Sequence, residues 1–169
     1  IVELKKSIDN AFRNFAGSWG ESLTDILSPL HWFLIYTEKL LLFTPWYIFL
    51  LILGVIVYFI SQNIKLVVAS ILSFVCIGLL GMWDDTMRTL SIVLVSTLLC
   101  VVIGIPVGIL MYYKKRAENV ITPVLDLMQT IPSFVYLIPV VMLFGLGKIP
   151  GLIAICVFSI PPVIRFTNL

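Results

Sequence analysis

Between Leu125 and Arg165 the chain reads LDLMQTIPSFVYLIPVVMLFGLGKIPGLIAICVFSIPPVIR. It is apolar enough for a bilayer, yet Pro132, Pro139, Pro150, Pro161 and Pro162 interrupt it. Proline removes a backbone donor and clashes with the preceding helical turn, so five of them are out of place in a plain lipid anchor. Inside a membrane, broken backbone survives only where neighbouring protein or a water-filled cavity satisfies it. The pattern predicts part of a moving, solute-passing assembly rather than a passive anchor.

Composition points the same way. Hydrophobic residues make up 60% of the 169 and charged ones only 12%, with a mean hydropathy of +1.12; a soluble domain carries about 25% charged residues. The expected fold class is all-α: a polytopic membrane protein of about five transmembrane helices, preceded by N-terminal amphipathic and interfacial helices. A net charge of +2 with no basic patch among aromatics argues against nucleic acid as a partner and leaves the lipid bilayer. Cys76, Cys100 and Cys156 sit singly in apolar runs without C-x-x-C spacing, so they read as small buried hydrophobes and not as a disulfide framework or metal site. The first 20 residues are charged and amphipathic, unlike a cleavable signal peptide. Ile1 and Leu169 both read as cut ends.

Three regions are expected: a tail over 1–45, two N-terminal transmembrane helices over 46–83, and a core of three more over 84–169. In the tail, Ile1, Leu4, Ile8, Ala11, Phe12 and Phe15 recur at helical spacing opposite Lys5, Lys6, Asp9, Asn10 and Arg13. That is an amphipathic helix for a membrane surface, a partner, or the protein's own surface. Gly17 and Gly20 break it. Ser28-Pro29 then resembles an N-cap with proline at the first helical position, opening an interfacial segment to Phe43 that holds His31, Glu38 and Lys39.

Thr44-Pro45 repeats that signal ahead of a first span, Trp46 to Ile60, whose 15 positions fall short of the bilayer core, about 30 Å thick. Ser61-Gln62-Asn63 is a polar turn. A second span runs from Leu66 to Trp83, stopped by Asp84-Asp85 and Arg88. The third, Thr89 to Tyr113, is charge-free and closes at Lys114-Lys115-Arg116. Residues 117–130 are amphipathic, with Val120, Ile121, Val124, Leu125 and Met128 on one stripe. A fourth span runs from Ile131 to about Gly147 and a fifth from Leu152 to Ile164, ending at Arg165. Alternating the spans puts Lys65, Lys114, Lys115, Arg116 and Arg165 on one side, against Arg88 and Lys148 on the other. The positive-inside rule makes the first side cytoplasmic and the N-terminus external.

Gly104-Ile105-Pro106-Val107-Gly108 clears one face of the third span, with Pro106 loosening the ladder between the glycines. It suits a pivot or simple close packing. Pro132 and Pro139 are further candidates for packing or pivoting. Gly147-Lys148 superficially resembles a phosphate loop, but Met142 and Ile149 stand where that motif needs glycine and Ser or Thr. No catalytic or metal constellation is visible, and no ionisable residue lies deep in a span, which argues against a proton-coupled carrier. His31 reads as interfacial, and Asp84-Asp85 as a solvated stop. The sharpest polar cluster is Gln129, Thr130, Ser133, Phe134 and Tyr136 around Pro132. It reads either as a substrate path, where aromatic faces attract quaternary ammonium groups, or as ordinary span aromatics.

Three stretches carry a family resemblance: GIPVGI at Gly104–Ile109, LDLMQTIPSFVYLIPVVMLFGLG at Leu125–Gly147, and FSIPPVIRFT at Phe158–Thr167. From about Met87 onward the chain resembles the permease subunit of bacterial glycine betaine/proline ABC importers. The resemblance implies a multi-pass protein of the bacterial inner membrane, paired with a second permease copy. Two cytoplasmic ATPase subunits would bind ATP and Mg, with no cofactor on this chain, and an extracytoplasmic binding protein would deliver the solute. The EAA-type coupling helix of such permeases is expected beyond Leu169, so the chain is expected to be a fragment. The spans alone leave open a permease of the same fold for amino acids or other small solutes, and a non-transporting membrane scaffold.

Overall fold

The computed structural model describes residues 27–169, so the amphipathic helix expected over Ile1–Phe15 lies outside the described residues. Among them the protein is all-α: α1 (Leu27–Phe43), α2 (Trp46–Ser61), α3 (Ile64–Leu79), α4 (Trp83–Tyr113), α5 (Lys115–Thr130), α6 (Ser133–Phe144) and α7 (Lys148–Asn168). Helices stand at all five places where spans were expected, α1 lies on the expected interfacial segment, and α5 on the amphipathic stretch expected over 117–130. Length separates them. At 31 and 21 residues, α4 and α7 reach about 46 and 31 Å, each enough for a ~30 Å core. With 16 residues apiece, α2 and α3 reach only about 24 Å, and α6, with 12, about 18 Å. The pairs α1–α2 and α5–α6 are bent by 104° and 89° and qualify as spans only when each pair is taken together.

Two compact units divide the described residues: Leu34–Ser91, and Ile92–Leu169 with Leu27–Phe33. In the first, α2 and α3 form a hairpin. Gln62 takes the left-handed conformation at φ 52°, and the Asn63 side chain caps α3 by accepting from the Lys65 amide at 3.0 Å. Gly54 is buried where a Cβ would sit 3.3 Å from Ile71 Cδ1, so the glycine lets the two helices close. Phe49 joins the hairpin to Phe74 at 5.3 Å and to Trp83 at 5.6 Å between ring centroids.

The second span does not run to Trp83. Gly81 adopts φ 74°, its N–H donates to Gly78 O at 3.0 Å, and Met82 N–H donates to Ile77 O at 3.2 Å. This pair of bonds is the Schellman termination, which requires a left-handed residue that glycine supplies without strain. Trp83 therefore opens α4. Asp84 and Asp85 are not the stop of the preceding span; they lie in the first turn of α4, where carboxylates complement the helix dipole. Cys76 is another correction: it is exposed on α3, whereas Cys100 and Cys156 are buried as expected.

Glu38 on α1 is only 6% exposed, and Arg88 of α4 reaches its carboxylate at 3.5 Å. Removing Arg88 takes a counter-charge away from a buried carboxylate. Arg88→Ala is expected to cost about 1–3 kcal/mol, read as a lower apparent Tm of the detergent-solubilised protein, and adding Glu38→Gln should recover most of the loss. An unchanged Tm for Arg88→Ala would remove the pair from the stability of this unit.

Candidate functional site

Three elements of the second unit converge where α4 ends, α5 lies and α7 ends. Met111, Leu125 and Ile164 form a buried cluster, backed by Val107, Ile121, Met128 and Ile160. Ile121, Leu125 and Met128 of the apolar stripe read from sequence pack there, whereas Val120 and Val124 of the same stripe are exposed, so the amphipathic α5 spends only part of its apolar face on protein. Its polar face is tied as well. Asp126 pairs with Arg165 of α7, and Lys115 donates to Glu118 at 2.7 Å. The Lys115 ammonium holds the Glu118 carboxyl below the usual carboxylate range. Of the cations expected on the cytoplasmic side, Lys115 and Arg165 are thus engaged around α5. Lys114 precedes α5 in an extended conformation, and Arg116 is exposed.

The expected glycine face of α4 is where α7 approaches. A Cβ on Gly104 would lie 2.7 Å from Val163 Cγ1, and one on Gly108 would lie 2.5 Å from Thr167 Cβ and 2.8 Å from Ile164 O. Only glycine fits either place. One turn further along the seam, Cys100 Sγ lies 3.9 Å from Cys156 O, and Cys156 Sγ lies 3.8 Å from Ser96 O. Ser96 is wholly buried, and its hydroxyl has no hydrogen-bond partner among the described residues. Pro106 is exposed and α4 continues through it; Pro139 likewise sits exposed within α6.

The polar-aromatic cluster splits in two. Pro132 excludes its predecessor from helical geometry, and Ile131, at φ −80° and ψ 126°, ends α5. The carbonyls freed there need donors. Tyr136 Oη donates to Met128 O at 3.0 Å and lies 3.3 Å from Leu127 O, while Thr130 Oγ1 donates to Leu127 O at 3.1 Å. Tyr136 and Thr130 therefore close the α5–α6 elbow. Phe134 points outward and is 73% exposed. Gln129 instead lines a cavity of about 470 Å³ with Glu118, Thr122, Arg165 and Asn168. Ser133 begins α6 beside the elbow. Sequence reasoning did not find the Asp126–Arg165 pair, because 39 positions separate its members. Nor did it find the Cys100–Cys156–Ser96 seam, whose only signal was small residues on the faces of two apolar helices.

At Gly108 an added methyl meets a backbone carbonyl, which cannot rotate away, whereas at Gly104 it meets a valine side chain. Gly108→Ala should therefore destabilise more than Gly104→Ala, by about 1–3 kcal/mol for overpacking, measured as apparent Tm; the reverse order would contradict a backbone clash. Tyr136→Phe removes only the hydroxyl and should cost about 1 kcal/mol, while Phe134→Leu should leave the Tm unchanged. Equal Tm values for both variants would deny Tyr136 its capping role.

Comparison with known proteins places this geometry. Residues 100–169 match the family described as binding-protein-dependent transport system inner membrane component. The chain is 42% identical over 141 residues to the glycine betaine/proline betaine transport system permease protein ProW of Escherichia coli, covering 83% of this chain and 40% of that protein. It is 42% identical over 129 residues to the glycine betaine/carnitine transport permease protein GbuB of Listeria monocytogenes, covering 74% of this chain and 45% of that protein. Similarity to the trimethylamine N-oxide transport system permease protein TmoV of Ruegeria pomeroyi is 29% over 166 residues, covering 98% of this chain and 23% of the relative. The chain thus spans less than half the length of these relatives. The segment from Cys100 to Leu169, which carries the glycine seam, α5 and the elbow, is the part of the chain that matches the inner-membrane-component family of binding-protein-dependent transport systems.

Proposed function

We propose that the full protein is the membrane permease of an ATP-driven importer for glycine betaine and related methylated-nitrogen solutes, working by alternating access. The observation that carries this reading is the 42% identity over 141 residues to a relative named for glycine betaine/proline betaine transport. A relative named for trimethylamine N-oxide transport, aligned over 98% of the chain, keeps the same solute chemistry in view. The geometry is compatible with alternating access, since α4 and α7 are rigid spans closed on a glycine seam and α6 turns out of α5 at a hydroxyl-capped elbow.

In this reading the chain is not itself an enzyme. ATP and Mg bind to cytoplasmic ATPase subunits, an extracytoplasmic binding protein delivers the solute, and the chain binds no cofactor. A second permease copy is favoured by α6, whose Phe134, Ile138 and Met142 are exposed at intervals of four on a helix too short to face lipid alone. Lys114, Lys115 and Arg116 follow α4 and open α5, and Arg165 near the end of α7 pairs with α5, so both basic ends share one side. The positive-inside rule assigns that side to the cytoplasm and puts the N-terminus outside. Gln129, Thr130, Ser133, Phe134 and Tyr136 remain the candidate pathway, with Phe134 the side chain open to it and Tyr136 and Thr130 holding its shape.

The test is uptake of labelled glycine betaine into proteoliposomes containing the full permease, its ATPase and its binding protein. ATP-dependent uptake competed by unlabelled betaine is expected, with Phe134→Ala lowering it. Stimulated ATPase activity without betaine uptake would reopen the solute, and loss of both would favour a scaffold. In parallel, a Met82→Cys variant should react with an impermeant thiol reagent from outside and an Arg116→Cys variant from inside, each in a background lacking Cys76; the opposite labelling would invert the topology.

A further inference from the structure

The first helix is built inside out. Its buried residues include Leu34 and the carboxylate Glu38, while Trp32, Tyr36, Lys39, Leu40 and Phe43 are exposed at helical spacing, an aromatic stripe carrying one cation. Because α1 meets α2 at 104°, it runs along the bilayer surface when α2 crosses the bilayer. Helices in that position set an apolar, aromatic face at the boundary between headgroups and acyl chains.

Two cavities adjoin at the C-terminal end of this stripe, within the unit Leu34–Ser91. One, of about 570 Å³, is lined by Tyr36, Lys39, Leu40, Leu42 and Phe43. The other, of about 550 Å³, wraps the elbow between α1 and α2 among Phe43, Trp46, Leu50, Phe74, Leu79 and Trp83, and no charged side chain lines it. Leu42 and Phe43 border both. Lys39 makes no ion pair among the described residues. A lysine beside an apolar slot that carries no charge is a two-part recognition surface, for an anion joined to a hydrocarbon chain. A small zwitterionic solute fits the first part only, and a soluble partner peptide would meet this surface at the depth of the lipid headgroups.

We propose that these two cavities form a phospholipid site, with the headgroup phosphate on the Lys39 ammonium and one acyl chain passing over Phe43 into the aromatic elbow. The site would tether the outer corner of the α2–α3 hairpin to the bilayer surface. It rests on the membrane fold alone and is independent of which solute the protein carries.

The experiment is native mass spectrometry of the purified full permease, titrated with phosphatidylglycerol and, separately, with a diacylglycerol of the same chains that lacks the phosphate. Wild type should retain phosphatidylglycerol more strongly. Lys39→Ala should weaken phosphatidylglycerol retention about two- to fivefold, the strength of an exposed ion pair, and leave diacylglycerol retention unchanged, with Lys39→Arg restoring the wild-type value. Phe43→Ser should weaken both lipids alike. Both side chains are exposed, so the variants should fold, as circular dichroism would verify. Unchanged phosphatidylglycerol retention in Lys39→Ala and Phe43→Ser overturns the proposal. So does a glycine betaine-dependent rise in Tm that Phe43→Ser abolishes, which would make the elbow a solute site.

Discussion

Backbone carbonyls released at a helix break must find donors, and hydrocarbon offers none. That requirement governs the bends between α1 and α2 and between α5 and α6. At Thr44-Pro45 the threonine hydroxyl folds back on Leu40 O at 2.7 Å while its own amide donates to the same carbonyl at 3.1 Å. The Pro45 carbonyl then accepts from Ile48 and Phe49 and starts α2. At the second bend the Ile131 amide and the Thr130 hydroxyl both return to Leu127 O, at 3.2 and 3.1 Å, and Tyr136 reaches across the break to Met128 O. Each proline makes a bend, and a hydroxyl beside or beyond it makes the bend tolerable in an apolar setting.

The same economy of polar groups explains how α4 meets α7. With no aqueous phase to drive two apolar helices together, their approach depends on close packing. Gly104 and Gly108 remove the side chains that would hold the backbones apart, and Cys100, Cys156 and Ser96 continue the seam with small groups. In the other unit Gly54 does the same for α2 against Val67 and Ile71. Two ion pairs tie helices together, each within its own unit: Asp126–Arg165 joins α5 to the last turns of α7, and Glu38–Arg88 joins α1 to the start of α4.

Hydropathy and proline positions made most of the helix order legible, because apolar runs and breaks are local properties. The elbow residues were legible too, since a polar-aromatic cluster flanked a proline, but their roles were not. Tyr136 looked like a pathway aromatic and is a cap, because its donor finds carbonyls eight and nine positions earlier, a relation that follows only from the 89° bend. The boundary between α3 and α4 was misplaced by four residues because hydropathy continues through Leu79 to Trp83, whereas the chain turns on the left-handed Gly81. The burial of Glu38 was equally invisible. On a helix lying along a membrane surface a carboxylate is expected to face water, and here it faces Arg88 while the aromatics face out.

Magnitudes then separate what is fixed in this molecule from what can move. Overpacking at the glycine seam costs about 1–3 kcal/mol per site, and the seam adjoins the buried Met111–Leu125–Ile164 cluster, so α4 and α7 are joined there by many contacts that must all yield together. The elbow is held differently. Two hydroxyl bonds, from Thr130 and Tyr136, each worth about 1 kcal/mol net, cap its carbonyls, α5 and α6 both pack on α7, and Phe134 beyond it is unpacked. A change of angle between α5 and α6 therefore breaks two weak bonds at the elbow and must also carry or release the packing of α5 and α6 on α7. For the alternating access proposed above, the two elbow bonds are the weak points between α5 and α6, and the glycine seam, where any added side chain meets α7, is where change is resisted.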